Sequence, residues 1–188
     1  MKARLLPVLC AVLFSVHANA QDAGRVELFG GYSRTGYSVY QLYSGPWTGF
    51  GFNGWEASAA VRLVPHLDAE ADFGGGYNSS NGRSYSLLTY MAGPRISGDF
   101  HRVRVYGHVL FGALNFNGGT NYANGNASFA TAFGGGADFW FSRYLGVRFV
   151  QADYLRNINT AASQSGLGGS GPAWHYRVST GVVFRLGR

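Results

Sequence analysis

Large apolar and small or charged positions alternate along residues 129–154. Phe129, Phe133 and Phe139 share one parity, whereas alanine, glycine and Asp138 occupy the other. Side chains that alternate with period two point to opposite faces of a β-strand. We therefore expect two strands here, each with one bulky apolar face.

The alternation fails once within this segment. Val147 and Phe149 share a parity, but Val150, Ala152 and Tyr154 share the other. A β-bulge inserts one extra residue into one strand of a pair. A bulge at residues 149–150 would therefore restore a single apolar face.

The same alternation recurs along the rest of the chain, and nearly every charge lies on one parity. Eight strands are predicted, over residues 25–33, 54–63, 67–77, 84–96, 103–113 and 174–186, with two more inside 129–154. The connections at 34–53, 78–83, 114–126 and 156–173 are mostly long, and those at 64–66, 97–102 and 142–146 are short. Long loops at one end and tight turns at the other are typical of a transmembrane barrel.

Aromatic residues are frequent near the predicted strand ends, where rings favour the lipid–water boundary. They are Tyr32, Trp55, Tyr77, Tyr85 and Trp174 at the loop end, and Phe139, Trp140, Phe141 and Tyr144 at the turn end. A soluble, lipocalin-like barrel is the alternative, but it would need an apolar interior and a polar exterior. The charge parity disfavours it.

The N-terminus has the order of a secretory signal peptide. Lys2 and Arg4 precede an apolar run at 5–16, and Ala18-Asn19-Ala20 follows as a cleavage site. We expect residues 1–20 to be removed and 21–188 to form one domain. The single cysteine, Cys10, would leave with the signal, so neither disulfides nor thiolate metal sites are expected.

The formal net charge is +6 and the arginines are scattered, so a nucleic-acid partner is not expected. A glycine count of 29 and an aromatic content of 16% fit a chain of many strands. The sequence indicates no cofactor.

Four segments carry a resemblance to a known family. They are GGGADFWFSRYLGVRFVQADY at 134–154, GPRIS at 93–97, GHVLFGA at 107–113 and VSTGVVFRLG at 178–187. Together they resemble the bacterial outer-membrane β-barrel domain family, which is related to small OmpA- and OmpX-type barrels. The resemblance implies an all-β, eight-stranded antiparallel up-and-down barrel in the cell outer membrane, in contact with lipid and inserted by the barrel assembly machinery. It implies no catalytic residue.

Thirteen charged residues fall on the predicted inward parity. They are Glu27, Glu56, Arg62, Asp68, Glu70, Asp72, Arg95, Arg104, Asp138, Arg148, Asp153, Arg177 and Arg185. Side chains fill an eight-stranded barrel, and buried charges must be paired. We expect an ion-pair network that plugs the lumen; the alternative is a narrow porin-like channel.

An outer-membrane lipid-modifying enzyme is the less favoured reading. His175 and Ser179 share a parity but lie ~13 Å apart along a strand, too far for a nucleophile and its base. His108 is expected to be a hydrogen-bonded lumen group. Asp68, Glu70 and Asp72 share a face, but they are interpreted as arginine partners rather than as a metal site.

Predicted loop 34–53 is rich in aromatic residues, which include Tyr37, Tyr40, Tyr43, Trp47 and Phe50. Exposed apolar patches tend to mark interaction sites. The loop is therefore a candidate surface for an extracellular ligand. Alternatively, the first two strands extend beyond the membrane and these rings pack on each other.

Overall fold

The computed structural model describes residues 25–41, 45–80, 83–118, 127–157 and 174–187. Eight strands span them. They are β1 Val26–Gln41, β2 Gly45–Val64, β3 Leu67–Ser80, β4 Arg83–Phe100, β5 Val103–Gly118, β6 Ser128–Trp140, β7 Leu145–Asn157 and β8 Trp174–Leu186. The described residues include no helix that is long and apolar enough to cross a membrane.

Each strand pairs antiparallel with the next, and β8 pairs with β1, so the sheet is a closed barrel. The predicted eight-stranded antiparallel barrel is confirmed. Closure leaves no unpaired strand edge.

Several strands are longer than predicted, and residues 34–53 lie mostly in strands rather than in a loop, which agrees with the alternative in which the first two strands extend. β1 continues to Gln41 and β2 begins at Gly45, with Tyr37 paired to Phe50. Strand residues likewise occupy part of each of the predicted connections at 78–83, 97–102 and 114–126. Glycine, serine and asparagine suggested turns there, but a ladder of backbone hydrogen bonds can continue through such residues once a neighbouring strand is in register.

The two faces of the wall differ as the alternation predicts. Phe73, Phe111 and Phe184 are about half exposed on the outside, whereas Glu56, Arg104 and Asp138 are buried inside. The bulge is confirmed: Ala137 pairs with Val150 and Asp138 with Arg148, which leaves Phe149 as the extra residue. Phe149 and Val150 are both exposed on the outer face.

Two of the aromatic residues expected at the boundary face the interior instead. Trp140 is 7% exposed and clusters with Phe29 and Val183, and Tyr85 packs against a second apolar cluster. Their parity decides the face, because the pleat of the strand overrides proximity to its end. Nothing is described of the Trp174 side chain.

The second apolar cluster is a part of the lumen filling that the predicted ion-pair network did not include. It lies on the loop side of the buried charges and consists of Phe52, Leu87, Met91, Leu110, Leu114, Ala130, Ala132 and Leu155. These residues come mainly from β4 to β7 and occupy inward positions. The parity of the charged residues could not predict this cluster, because an apolar residue on the inward parity carries no charge that would mark its face.

The bulge provides a test of the register. Deleting Phe149 should leave every other residue of β7 on its present face, because only the extra residue is lost. Deleting Ala152 should instead turn one half of β7 inside out and prevent folding. Heat-modifiable migration of the refolded variants on gels distinguishes the two outcomes. A Phe149 deletion that unfolds like the Ala152 deletion would contradict the assignment.

Candidate functional site

The barrel interior brings together all thirteen charged residues that the sequence placed there. Eleven of them are at most 3% exposed, and the side chains of Arg62 and Arg185 are 20% and 14% exposed at the turn end. They come from all eight strands, because each strand contributes its inward parity. Their contacts divide into a group at the turn end and a group at mid-height.

Glu27 is the centre of the turn-end group. Its carboxylate accepts hydrogen bonds from Arg95 at 3.0 Å, from Arg185 at 3.1 Å and from Arg104. Arg104 also forms two parallel bonds to Asp99, of 2.8 and 2.9 Å. Charge-assisted bonds of this kind are stronger than neutral ones. One carboxylate of β1 is thus tied to β4, β5 and β8.

Asp68 forms a second set of contacts at this end. Arg62 donates to one of its oxygens, and the Ser97 hydroxyl donates to the other at 2.9 Å. Arg62 reaches the same hydroxyl at 3.1 Å. A neutral serine therefore completes an ion pair between β2 and β3.

Arg177 lies among three carboxylates at mid-height. Its guanidinium contacts Asp153 at 2.6 Å, Asp72 at 2.8 Å and Glu56 at 3.1 Å. These acids belong to β7, β3 and β2, so one side chain of β8 connects three other strands. The planar, multidentate guanidinium suits such a position.

Gln151 connects the two groups through Arg148, which bonds to Asp138 at 2.8 Å. Asp138 in turn lies 3.7 Å from Arg95 of the turn-end group. The carbonyl oxygen of Gln151 accepts from Arg148 at 2.5 Å and from the Tyr106 hydroxyl at 2.6 Å. Its amide donates to Glu56 at 2.7 Å and to Asp153 at 2.8 Å. The sequence reading missed Gln151 because it counted charges alone. The sequence signal that could have identified Gln151 is its position on the inward parity of β7 after the bulge.

His108 lies between two carboxylates. Nδ1 is 2.8 Å from Glu70 and Nε2 is 2.9 Å from Asp153. A carboxylate only accepts, so the geometry suits an imidazolium whose two ring nitrogens both donate. The seven inward acids thus share the interior with six arginines and one histidine.

Aromatic rings occupy the space between the arginines. The guanidinium of Arg95 lies 4.0 Å from the centre of the Tyr106 ring. The guanidinium of Arg148 lies 4.7 Å from the centre of the same ring. Arg148 also lies 4.0 Å from the Phe29 ring. Cation–π contact gives each cation a favourable face where no carboxylate fits.

The histidine and serine considered above as a base and a nucleophile are not paired in the part of the chain that the structure describes. His175 and Ser179 both face inward and are buried, but within the described ranges the Ser179 hydroxyl has no hydrogen-bond partner. The two residues therefore do not form a nucleophile–base pair. Within those ranges, histidine, cysteine, aspartate and glutamate also form no group of three that could hold a metal ion.

The predicted aromatic surface lies only partly within the described residues. Tyr43 lies outside the described residues, and for Tyr37, Tyr40, Trp47 and Phe50 only the backbone is described. Their backbones lie in the β1–β2 ribbon rather than in a loop. The interaction surface remains a prediction.

No protein-family model matches the chain, and no curated protein matches it in sequence. Solved structures do match in fold. The attachment invasion locus protein Ail of Yersinia pestis is 13% identical, with a TM-score of 0.54, over 87% of this chain and 99% of Ail.

Two further solved structures match over similar lengths. Neisserial surface protein A is 10% identical, with a TM-score of 0.61, over 84% of this chain and 96% of that protein. The outer membrane protein OprG of Pseudomonas aeruginosa is 11% identical, with a TM-score of 0.58, over 88% and 97%. The chain therefore has the fold of small bacterial outer-membrane β-barrels.

The network predicts a large cost for removing one of its cations. The Arg177→Met variant leaves three carboxylates together without a counter-ion and should lower the free energy of unfolding by about 3–5 kcal/mol. The matched variant Arg156→Met removes an exposed arginine from β7 and should change it by less than about 0.5 kcal/mol. Urea unfolding of both variants in lipid vesicles measures the difference. Equal effects would show that the buried pairs contribute no more than a surface charge.

Proposed function

We propose that the protein is an integral outer-membrane β-barrel whose filled lumen does not conduct and whose loop-side hairpins serve surface interaction. The burial of the paired lumen charges carries the proposal. Arg95, Arg104, Arg148 and Arg177 are each at most 2% exposed, although they are among the longest side chains in the barrel.

The outer wall supports insertion into lipid. Phe111, Phe129, Phe133 and Phe184 are between 46% and 51% exposed on it. The closed ladder satisfies the backbone groups that lipid cannot. A water-exposed barrel would not concentrate its aromatic side chains outside and its ion pairs inside.

The strand lengths support a role outside the membrane. A tilted strand crosses the bilayer in about 9–11 residues, whereas β1 has 16 residues and β2 has 20. The short turns at 65–66, 101–102 and 141–144 lie at the opposite end, with both strand termini of the barrel. In the outer-membrane orientation that end is periplasmic, and the β1–β2 ribbon extends outside the cell.

A structural neighbour indicates a ligand class to test. The Yersinia pestis attachment protein has been solved with the heparin analogue sucrose octasulfate, and that structure matches this chain with a TM-score of 0.53. We infer that the loop side of this barrel contacts an extracellular ligand. Heparin is the polyanion with which to probe it.

The filled lumen predicts an absence of conduction. Wild-type protein, folded and inserted in planar bilayers, should produce no channel events, and neither should Arg95→Ala nor the control Arg156→Ala. Channel events from the wild type would favour the narrow pore instead. Events from Arg95→Ala alone would show that the ion pairs gate an existing path.

The ribbon predicts a separable binding function. Thr35 and Phe52 are paired, so joining them through an Asn-Gly turn removes residues 36–51 without changing the register. The shortened variant should fold, as judged by heat-modifiable migration, but retain less heparin-binding in a solid-phase assay. A second variant with 158–173 replaced by a short Gly-Ser linker compares the other long segment. Unchanged binding by both would count against a loop-side surface.

A further inference from the structure

At the turn end, the lumen opens in a ring of charged side chains that reach solvent. The side chains of Arg25 and Arg62 are each 20% exposed there, that of Arg185 is 14% exposed and that of Asp99 is 49% exposed. We call these four residues the turn-end mouth. A solute outside the barrel can therefore reach this part of the charge network, whereas the charges at mid-height are buried.

Donor groups are in excess at the mouth. Oε1 of Glu27, just inside it, lies 3.5 Å from Arg25, accepts from Arg185 at 3.1 Å and also accepts from Arg104. A carboxylate oxygen offers about two lone-pair positions, so it cannot accept strong hydrogen bonds from three guanidinium groups. The three turns at this end, 65–66, 101–102 and 141–144, contain no further carboxylate.

Arg25 has only long contacts with the acids around it. They are 3.5 Å to Glu27 and 3.4 Å to Asp99, whereas a charge-assisted bond from nitrogen to oxygen is usually about 2.7–2.9 Å long. Burial and the positive charge of Arg185 lower the pKa of Arg25, and Arg62 lowers it further, although Glu27 and Asp99 act in the opposite direction. The guanidinium of Arg25 therefore lies among cations that its carboxylate contacts do not fully balance.

Two N–H donors at this end are buried without an acceptor. Nη2 of Arg185 lies 3.1 Å from Glu27 but has no hydrogen-bond partner within the described ranges, and neither has the indole Nε1 of Trp140. The two groups are stacked, with the guanidinium carbon of Arg185 3.6 Å from the centre of the Trp140 ring. Buried donors in native proteins are nearly always satisfied, so each exception needs an explanation. Two such donors in one place indicate a site for one acceptor group.

We propose that the turn-end mouth binds a phosphate group, with Arg25 and Arg185 as its cationic partners and the Trp140 indole as a neutral donor. A phosphate offers several acceptor oxygens in a tetrahedral arrangement and up to two charges, and arginine is well suited to it. A carboxylate offers two coplanar oxygens and one charge. This inference rests on the proposed function only for the compartment, since the outer-membrane orientation makes the mouth periplasmic. The phosphate belongs to a soluble ester or to a phospholipid headgroup.

NMR of the indole N–H groups tests the site in the refolded protein, in an alkyl maltoside detergent that contains no phosphate. The loss of one signal in Trp140→Phe assigns Trp140. Inorganic phosphate, added at constant ionic strength, should shift the Trp140 signal saturably, because the indole donates to the ligand. Acetate should bind about tenfold more weakly, the difference expected for one charge-assisted hydrogen bond.

Two arginine variants separate a built site from general attraction. Arg25→Gln should raise the Kd for phosphate about tenfold, because it removes one charge-assisted hydrogen bond. Arg25 lies before β1, so this variant should fold. The matched variant Arg143→Gln removes an exposed arginine from the 141–144 turn and should change the Kd by less than about twofold, because an exposed charge is screened.

The outcomes distinguish this site from the proposed function. A Trp140 signal that does not saturate, an equal Kd for acetate, or an Arg143→Gln variant as weak as Arg25→Gln overturns the site. Phosphatidylglycerol added to the phosphate-free sample identifies the source: a shifted Trp140 signal supports a headgroup, whereas saturable binding of inorganic phosphate alone supports a soluble ester. Failure of the protein to insert into vesicles overturns the proposed function but not the site, which is measured in detergent.

Discussion

The pairing of charges in a space without room for bulk water is the constraint on which the structure depends. All eight carboxylate side chains of the described ranges contact an arginine or His108. An unpaired charge in such an interior is expensive, so each acid specifies a cation on another strand. Arg177 pairs with carboxylates from three strands, and Glu27 pairs with arginines from three strands. The pairs thus act as cross-braces that favour one closed register of the barrel.

Two kinds of side chain fill the lumen, one charged and one apolar. The ion pairs occupy the turn end and mid-height, and the apolar cluster around Leu110 and Leu155 lies towards the loop end. An apolar layer gives a permeating ion no ligands, while the paired layer leaves few charges available to it. Both fillings support the proposal that the lumen does not conduct, each for its own physical reason.

The interior chemistry also determines the exterior. Because the acids are used inside, the exposed charged groups of the described ranges are cationic except for Asp99; they include Arg34, Arg102, Arg143 and Arg156. A membrane whose surfaces carry phosphate complements such a wall.

The sequence by itself determined the strand count, the antiparallel order, the outward apolar face, the bulge at Phe149 and the inward charges, because each leaves a mark of period two. Only the tertiary structure decided which acid meets which arginine, that Gln151 links four partners, and that His108 lies between two carboxylates. Those contacts join strands that are far apart in sequence, and only closure of the barrel sets their relative heights. It also decided that Trp140 and the apolar cluster face inward, since an apolar side chain suits both lipid and a packed core, and the sequence pattern cannot distinguish the two.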